Sequence, residues 1–417
     1  MTATTFLSRN PVTGTLEEIL GLSNSDAFGR SRVSMPETLF DLSHLNDKQP
    51  LYVEELLQTG ATTTHLPNEA AVRMDVTATV GSRAVRQTKR YFKYQPGKSL
   101  LVLLTGVLTD ISNTSIRTRI GFFDDHNDKT VDVGGNGIFF QYSGGVVSIV
   151  KRSYISGAQV DTVVNQGSWN QGDQLNGLGA SGITLDPTKA QIFWMDLEWL
   201  GVGSVRCGII VEGKIIHLHS FHHANLITSV YMTRASLPVR YEIQRMAIGS
   251  AGYMKQICAT VISEGGFKDT GRTFSKAMTS PSTMNTTSSP LMSIRLANGY
   301  NRGSLKVRYA DLMSTSNTSL IYQVVYGATL TGASWQNQDI NNSGVQYDTS
   351  ATSFSGGRVI ESGFMTSKNR QVQIDVFNSF DSPNASIAGV PETISLVVQT
   401  VGGNSTTYGS LTWQESY

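Results

Sequence analysis

The chain has 417 residues, with Lys+Arg 33 against Asp+Glu 32 and a net charge of +1. At about 100–200 residues per domain, that length allows two or three domains, each with its own core. Balanced charge gives no global field for nucleic acid or an anionic membrane, so neither is expected as a partner. The charged fraction is 16 %, below the usual ~25 %. The 40 glycines and many Ser, Thr and Asn residues suit short strands and tight turns better than helices.

The two cysteines, Cys207 and Cys258, are too few for a disulfide framework or zinc ribbon. Both lie in strand-like runs and read as buried thiols, with a single bridge left open. The N-terminus lacks a basic segment followed by an apolar one. The longest apolar run, Leu100 to Leu104, is far short of the ~20 residues that span a bilayer. The expectation is a protein made soluble in a cytoplasm, where Asn317 and Asn404 carry no glycosylation meaning.

Residues 1–68 show no sustained periodicity and are expected to form an extended docking arm. Within them, Thr15 to Leu20 fits a short capped helix, with Glu18 three residues after Thr15. Another short turn is expected near Val53 to Leu57.

Regular alternation then begins. Val72, Met74, Val76, Ala78 and Val80 share one face, with Arg73, Asp75, Thr77 and Thr79 on the other. This period of two marks a half-buried antiparallel strand. Leu100 to Leu104 reads as a strand buried on both faces. Ile116, Thr118, Ile120 and Phe122 alternate with Arg117 and Arg119. Gly137 to Tyr142 and Val146 to Val150 flank Ser143-Gly144-Gly145, the pattern of a hairpin. Phe193, Met195, Leu197 and Trp199 define another face, as do Val205, Cys207, Ile209 and Val211. Glu212-Gly213 turns into Lys214 to Phe221. Val239, Tyr241 and Ile243 alternate with Arg240, Glu242 and Gln244, and Ile257, Ala259 and Val261 close the series.

Roughly ten strands at this spacing predict a central β-sandwich of jelly-roll or lectin-like type over 69–277, with wet Arg/Thr faces. Residues 278–290, rich in Ser, Thr and Pro, read as a linker. Residues 291–417 carry a second set of strands, including Leu320 to Tyr326 and Val372 to Val376, and predict a smaller C-terminal β-sandwich. The fold class is all-β. No amphipathic helix of 15 or more residues is visible.

Several motifs invite a chemical reading. Pro96-Gly97-Lys98-Ser99 lacks the first P-loop glycine, since position 92 is Phe, and a strand follows it. Gly177-Leu-Gly179-Ala-Ser-Gly182 lacks the strand before and helix after that a dinucleotide site needs. Both read as turns or loops. Asp124, Asp125, Asn127 and Asp128 offer hard oxygen ligands to calcium, against the plainer reading of an acidic turn. His217 and His219 are two apart on a strand and would share a face, as His-x-His ligands of a transition metal do, with His222 or His223 as a third. The plainer reading is a polar strand face or subunit contact. No nucleophile motif, zinc-protease motif or paired cysteine is present, so no catalytic residue, no cofactor and no enzyme activity are expected. Trp169, Trp335 and Tyr142 can stack on sugars, but strands of this kind bury most aromatics.

Five groups of segments stand out together along the chain. They are Ala27 to Ser34 with Glu37 to Asp41; Tyr91 to Ser99; Ile120 to Asp125 with Asn136 to Phe140; Asp196 to Gly203; and Leu330 to Trp335. In this order they resemble a recurrent family of mostly uncharacterised virion structural proteins of marine and cyanobacterial tailed phages. The resemblance covers about residue 27 to the C-terminus. It implies a non-enzymatic structural role on the virion, in the tail, neck or baseplate or as a capsid decoration. Other virion proteins would be the partners, and a trimer or ring the natural homo-oligomer. Residues 194–214 are also similar in pattern to laminin-G and legume-lectin-like sandwiches. That likeness implies the alternative role of a receptor- or carbohydrate-binding adhesin, with a host surface polysaccharide as partner.

Overall fold

The computed structural model describes residues 5–9, 16–20, 35–110, 113–125, 135–268, 270–300, 302–367, 371–375 and 385–416. Among these residues the regular structure is strand, with single 3-10 turns and no α-helix. The expected all-β class is what the chain adopts.

An N-terminal hairpin joins β1 (Thr5–Arg9) to β2 (Leu16–Leu20). Of the helix expected over Thr15 to Leu20, Leu16–Leu20 is a strand, because pairing with β1 outweighs a single capping signal, and Thr15 lies outside the described residues. The first sandwich then begins well before residue 69. Its early strands are β3 (Glu37–Leu42), β4 (Val53–Gln58) and β5 (Thr62–Leu66). Next come β6 (Ala71–Val76), β7 (Arg83–Thr88), β8 (Ser99–Val107) and β9 (Ile116–Phe123). β10 (Gly137–Ser143), β11 (Val146–Ser153), β12 (Val160–Asn165) and β13 (Ala190–Leu197) follow. The last are β14 (Val205–Val211), β15 (Lys214–Phe221), β16 (Val239–Arg245) and β17 (Gly252–Glu264).

These strands form a seven-stranded sheet, β12-β11-β10-β9-β16-β7-β4, over an eight-stranded one, β15-β14-β13-β8-β17-β6-β5. The expected arm is thus corrected from residue 37 on. β3, β4 and β5 pair with β17, β7 and β6, and Glu55 and Thr63 turn inward, toward buried Arg86. Because polar Glu55, Thr63 and His65 occupy inward positions on these short strands, the period-two signal is weak there.

The core lies between the sheets. Met74, Val102, Leu104, Ile120, Phe122, Phe140, Phe193, Cys207, Tyr241 and Val261 all meet there. Burial along β8 alternates, so Leu100 to Leu104 is buried on one face rather than two. β6 stops at Val76, and Val80 is exposed in the following turn. Two turns behave as their residues require. Gly144 and Gly145 have φ of 61° and 84°, and Ser143 pairs with Val146 across them. A two-residue turn with both φ positive matches the twist of its strands. Glu212-Gly213 repeats the geometry with φ of 50° and 73°.

β17 is the spine of its sheet. One edge pairs with β8 along most of its length, while the other is shared by β6 at Gly252–Gln256 and β3 at Ala259–Ser263. The register shifts between Gln256 and Cys258. That bulge takes half-buried Ile257 off the face it was expected to share with Ala259 and Val261.

The second sandwich starts at β18 (Arg272–Ala277) and β19 (Ser282–Met284), which both pair with the last strand. It continues with β20 (Ser289–Leu296), β21 (Ser304–Ser314), β22 (Leu320–Tyr326), β23 (Thr329–Thr331), β24 (Gln336–Asn337) and β25 (Val345–Asp348). β26 (Ser353–Ser355), β27 (Arg358–Met365), β28 (Gln371–Asp375), β29 (Thr393–Thr400) and β30 (Ser405–Ser416) complete it. Sheet orders are β18-β30-β21-β28, with β19 also on β30, and β24-β25-β20-β29-β22-β27. Residues 278–290 are therefore not a free linker, and the boundary falls between Glu264 and Arg272. Polar edge strands carry little hydrophobic signal, so composition alone reads them as linker. Trp413, Leu411, Leu396, Ile294 and Leu312 fill this second core.

The two sandwiches touch through polar contacts. Arg302 pairs with Asp124, the Ile387 N–H donates to Glu54 Oε2 (2.7 Å), and Lys93 Nζ donates to the Thr270 carbonyl (2.8 Å).

Candidate functional site: an arginine-rich sheet face

Because side chains alternate along a strand, the seven-stranded sheet has a second face directed away from the core. On β9 that face carries Arg117, Arg119 and Phe123, and on β10 Phe139 and Gln141. β11 and β12 add Arg152 and Asp161, while β16 and β7 add Arg240, Glu242 and Arg83.

This face is not the wet surface that its charges predicted. Glu242 and Arg152 are fully buried, and Arg119 and Arg240 nearly so. Glu242 is the hub. Arg240 Nη2 donates to its Oε2 at 2.7 Å and Arg83 Nη2 at 3.1 Å. Arg117 and Arg119 each lie 3.5 Å from its Oε1. Arg152 grips Asp161 with two parallel bonds of 2.8 Å, the strongest geometry for this pair. Asp125 accepts from Arg83 at 3.3 Å, with Arg152 at 3.8 Å and Arg240 at 4.0 Å. The guanidiniums of Arg119 and Arg152 lie 5.0 Å from the Phe139 ring centre, and that of Arg240 lies 5.3 Å from Phe123. Arginine suits such a layer because it is planar, always charged and less strongly hydrated than lysine.

The electrostatics follow from burial and neighbours. Burial by itself would raise the Glu242 carboxyl, but Arg240, Arg83, Arg119 and Arg117 hold it well below the ordinary value. Burial likewise opposes ionisation of Asp161, and its bonds to Arg152 override that and lower it. Arg119 is pushed down to about 9, first by burial and further by Arg117 and Arg152, with Glu242 opposing. Glu242 and Asp161 are therefore held ionised. Neither resembles a carboxyl raised to act as a general acid.

The residues proposed for calcium part company here. Asp124 is fully buried. Its Oδ1 accepts from the backbone N–H groups of Gly135 (2.8 Å) and Asn136 (3.1 Å), while its Oδ2 meets Arg302. Asp125 faces the arginines. Their oxygens thus answer cationic and N–H donors, not a shared ion position. Asn127 and Asp128 lie outside the described residues.

The histidines are also dispersed. On β15 the register shifts, so that Cys207 opposes His219 and Gly208 opposes His217, with Leu218 inserted between and buried in the core. This bulge breaks the period of two on which a shared His-x-His face depends. His217 lies 5.5 Å from the Trp194 ring and contacts Ser220 Oγ at 2.9 Å. His219 instead sits edge-on to Phe221 at 4.5 Å, and burial lowers its pKa to about 4. His222 contacts Ser204 Oγ (3.2 Å). His223 stacks on Tyr231 at 3.9 Å and binds the Gly203 carbonyl (2.6 Å) and Lys151 Nζ (3.0 Å). Among the described residues, no group of three or more His, Cys, Asp or Glu is placed to hold a metal ion.

Other motifs serve the fold. The Gly177 to Gly182 loop closes on Asp173, which accepts from the Leu175 and Ser181 N–H groups at 2.8 Å each. Gln95 and Gly97 form the turn before β8. Trp169 and Tyr142 are core residues, and Trp335 lies under the Arg295 guanidinium at 4.2 Å. Cys207 and Cys258 are both free thiols. No helix among the described residues is long and apolar enough to cross a membrane.

The sequence matches no known family profile and no curated protein. Solved structures to which the chain is similar over about half of its length include three. The endo-1,3-β-glucanase of Streptomyces sioyaensis is 8 % identical, covering 55 % of this chain and 97 % of its own, at a TM-score of 0.37. The glycoside hydrolase family 16 endo-glucanase of Bacteroides ovatus is 10 % identical over 54 % and 99 %, at 0.36. Peanut lectin is 12 % identical over 56 % and 100 %, at 0.32.

Proposed function

We propose that this chain is a non-catalytic structural protein of a virus particle of the tailed-phage kind, working through contacts rather than chemistry. One observation carries the non-catalytic part. The carboxylates of the charged sheet face are tied to arginines, and Glu242 and Asp161 are held ionised, so no proton donor is poised there. The ordered resemblance to phage virion proteins supports the rest. Its described segments build scaffold: Glu37 to Asp41 is in β3, Ile120 to Phe123 in β9, and Gly137 to Phe140 in β10. Phe92 and Tyr94 are core residues, and the Trp199 indole N–H donates to the Met232 carbonyl (3.0 Å). Residues shared for such reasons preserve a shape, which is what an assembly contact needs. The partners are other virion proteins and further copies of this chain.

The test is immunogold labelling of intact virions with antibody against residues 291–417, alongside mass spectrometry of purified particles. Label at a defined position on the particle is expected. Absence of both label and peptides from the particle refutes the proposal.

A further inference from the structure

We propose that a pocket at one side of the first sandwich binds a neutral, hydroxyl-rich ligand, a saccharide unit. The proposal does not depend on where the chain sits on a particle.

β4 and β5 are the last strands of their two sheets, joined by a turn at Thr59 and Gly60 with φ of 49° and 73°. The sandwich is therefore open along this side, and the loop of residues 43–52 crosses the opening. A cavity of about 500 Å³ lies there, with Val53, Glu55 and His65 lining it from the strands and Asn46, Asp47 and Lys48 from the loop. That volume is within the ~300–1,000 Å³ of small-molecule sites.

The strand side of the pocket is fixed from below. Glu55 accepts from Thr63 Oγ1 (2.6 Å), from Lys48 Nζ (3.1 Å) and from buried Arg86. Arg86 also donates to Gln256 Oε1 and the Lys48 carbonyl, both at 2.6 Å, and to His44 Nε2 at 3.3 Å. Because His44 Nε2 accepts from Arg86, its Nδ1–H donates to the Ile257 carbonyl (2.7 Å). His65 Nε2–H donates to the His44 carbonyl (2.7 Å). This tautomer leaves His65 Nδ1 as an acceptor.

The loop side is less committed. Asp47 accepts from the Gln49 N–H (2.7 Å) through Oδ1 only, and the Asn46 amide engages no described residue. A carboxylate oxygen, an amide and an imidazole nitrogen thus remain for a ligand. Charges around the pocket balance, with Lys48 and Arg86 against Asp47 and Glu55, so a charged ligand gains no net attraction. Adjacent hydroxyls, each both donor and acceptor, fit a free carboxylate beside a free amide, and Val53 and Pro50 supply an apolar wall.

The test uses the full chain on an array of neutral and acidic oligosaccharides, followed by calorimetric titration of the strongest neutral glycan. Asn46→Ala and Asp47→Ala change exposed side chains, and their melting temperatures should match the parent. Lys214→Ala, at the opposite end of the eight-stranded sheet, is the control. Neutral glycan binding that weakens at least tenfold in both loop variants and is unchanged in the control is the expected result. No neutral glycan bound, acidic glycans bound exclusively, or loop variants that bind like the parent would each overturn the proposal.

Discussion

Replacing Glu242 by Gln isolates the charged face, because the side chain keeps its shape and loses its charge. Glu242 is 0 % exposed and faces Arg240, Arg83, Arg117 and Arg119. Removing one partner of a buried ion pair costs about 3–5 kcal/mol, because it leaves uncompensated charge behind. For a unit of about 150–250 residues, each kcal/mol lowers Tm by about 2–4 °C. The variant should therefore melt roughly 6–20 °C below the parent, by circular dichroism or calorimetry. The loss should survive moderate salt, since buried pairs are poorly screened. The sign with pH also follows. Because the folded carboxyl is depressed, its stabilisation is complete above the unfolded value of 4.5 and is lost as pH falls through the lower folded value. E242Q should lack that acid limb. A variant within about 1 kcal/mol of the parent would mean that the arginine layer does not depend on its hub.

Further predictions test other parts of the fold. Asp124→Asn removes the charge facing Arg302 across the two sandwiches, so calorimetry should resolve two transitions where the parent shows one; a single unchanged transition would refute a coupling role for this ion pair. His44, lowered to about 4 by burial and by Arg86 despite its bond to Ile257, remains neutral in the folded chain while the unfolded chain protonates below about 6.5. Stability should therefore fall between pH 6.5 and about 4, by up to about 3 kcal/mol from this residue, and urea titrations of His44→Asn should show a shallower fall. Gly121→Ala would drive a methyl group into the Ile138 carbonyl and Phe139, and should cost about 1–3 kcal/mol in urea unfolding. The Cys207 thiol, fully buried and raised by that burial, should react with a thiol reagent only at the unfolding rate; fast labelling in the native protein would contradict its core position.

Local pattern carried most of the strand assignments. Val239, Tyr241 and Ile243 alternate because one face of β16 is core, and a period of two reports that directly. The glycine turns at Gly144-Gly145 and Glu212-Gly213 were equally legible, since few residues accept positive φ. Edge strands were not. β4, β5, β18 and β19 bury little, so neither alternation nor composition separated them from an arm or a linker. The bulges at Leu218 and Ile257 were also hidden, because an inserted residue is defined by its partner strand. That is why His217 and His219 looked like ligands on one face.

The sequence by itself determined the all-β class, the presence of two bodies of strands and the absence of a familiar catalytic motif. Tertiary structure alone decided that Arg119, Arg152, Arg240 and Glu242 form a buried layer rather than a solvated face. Strand alternation says which residues share a side, but not whether water reaches it. Only the packed chain sets the separation of charges, and with it whether a carboxylate is a metal ligand, an acid catalyst or, as here, the counter-ion of an arginine.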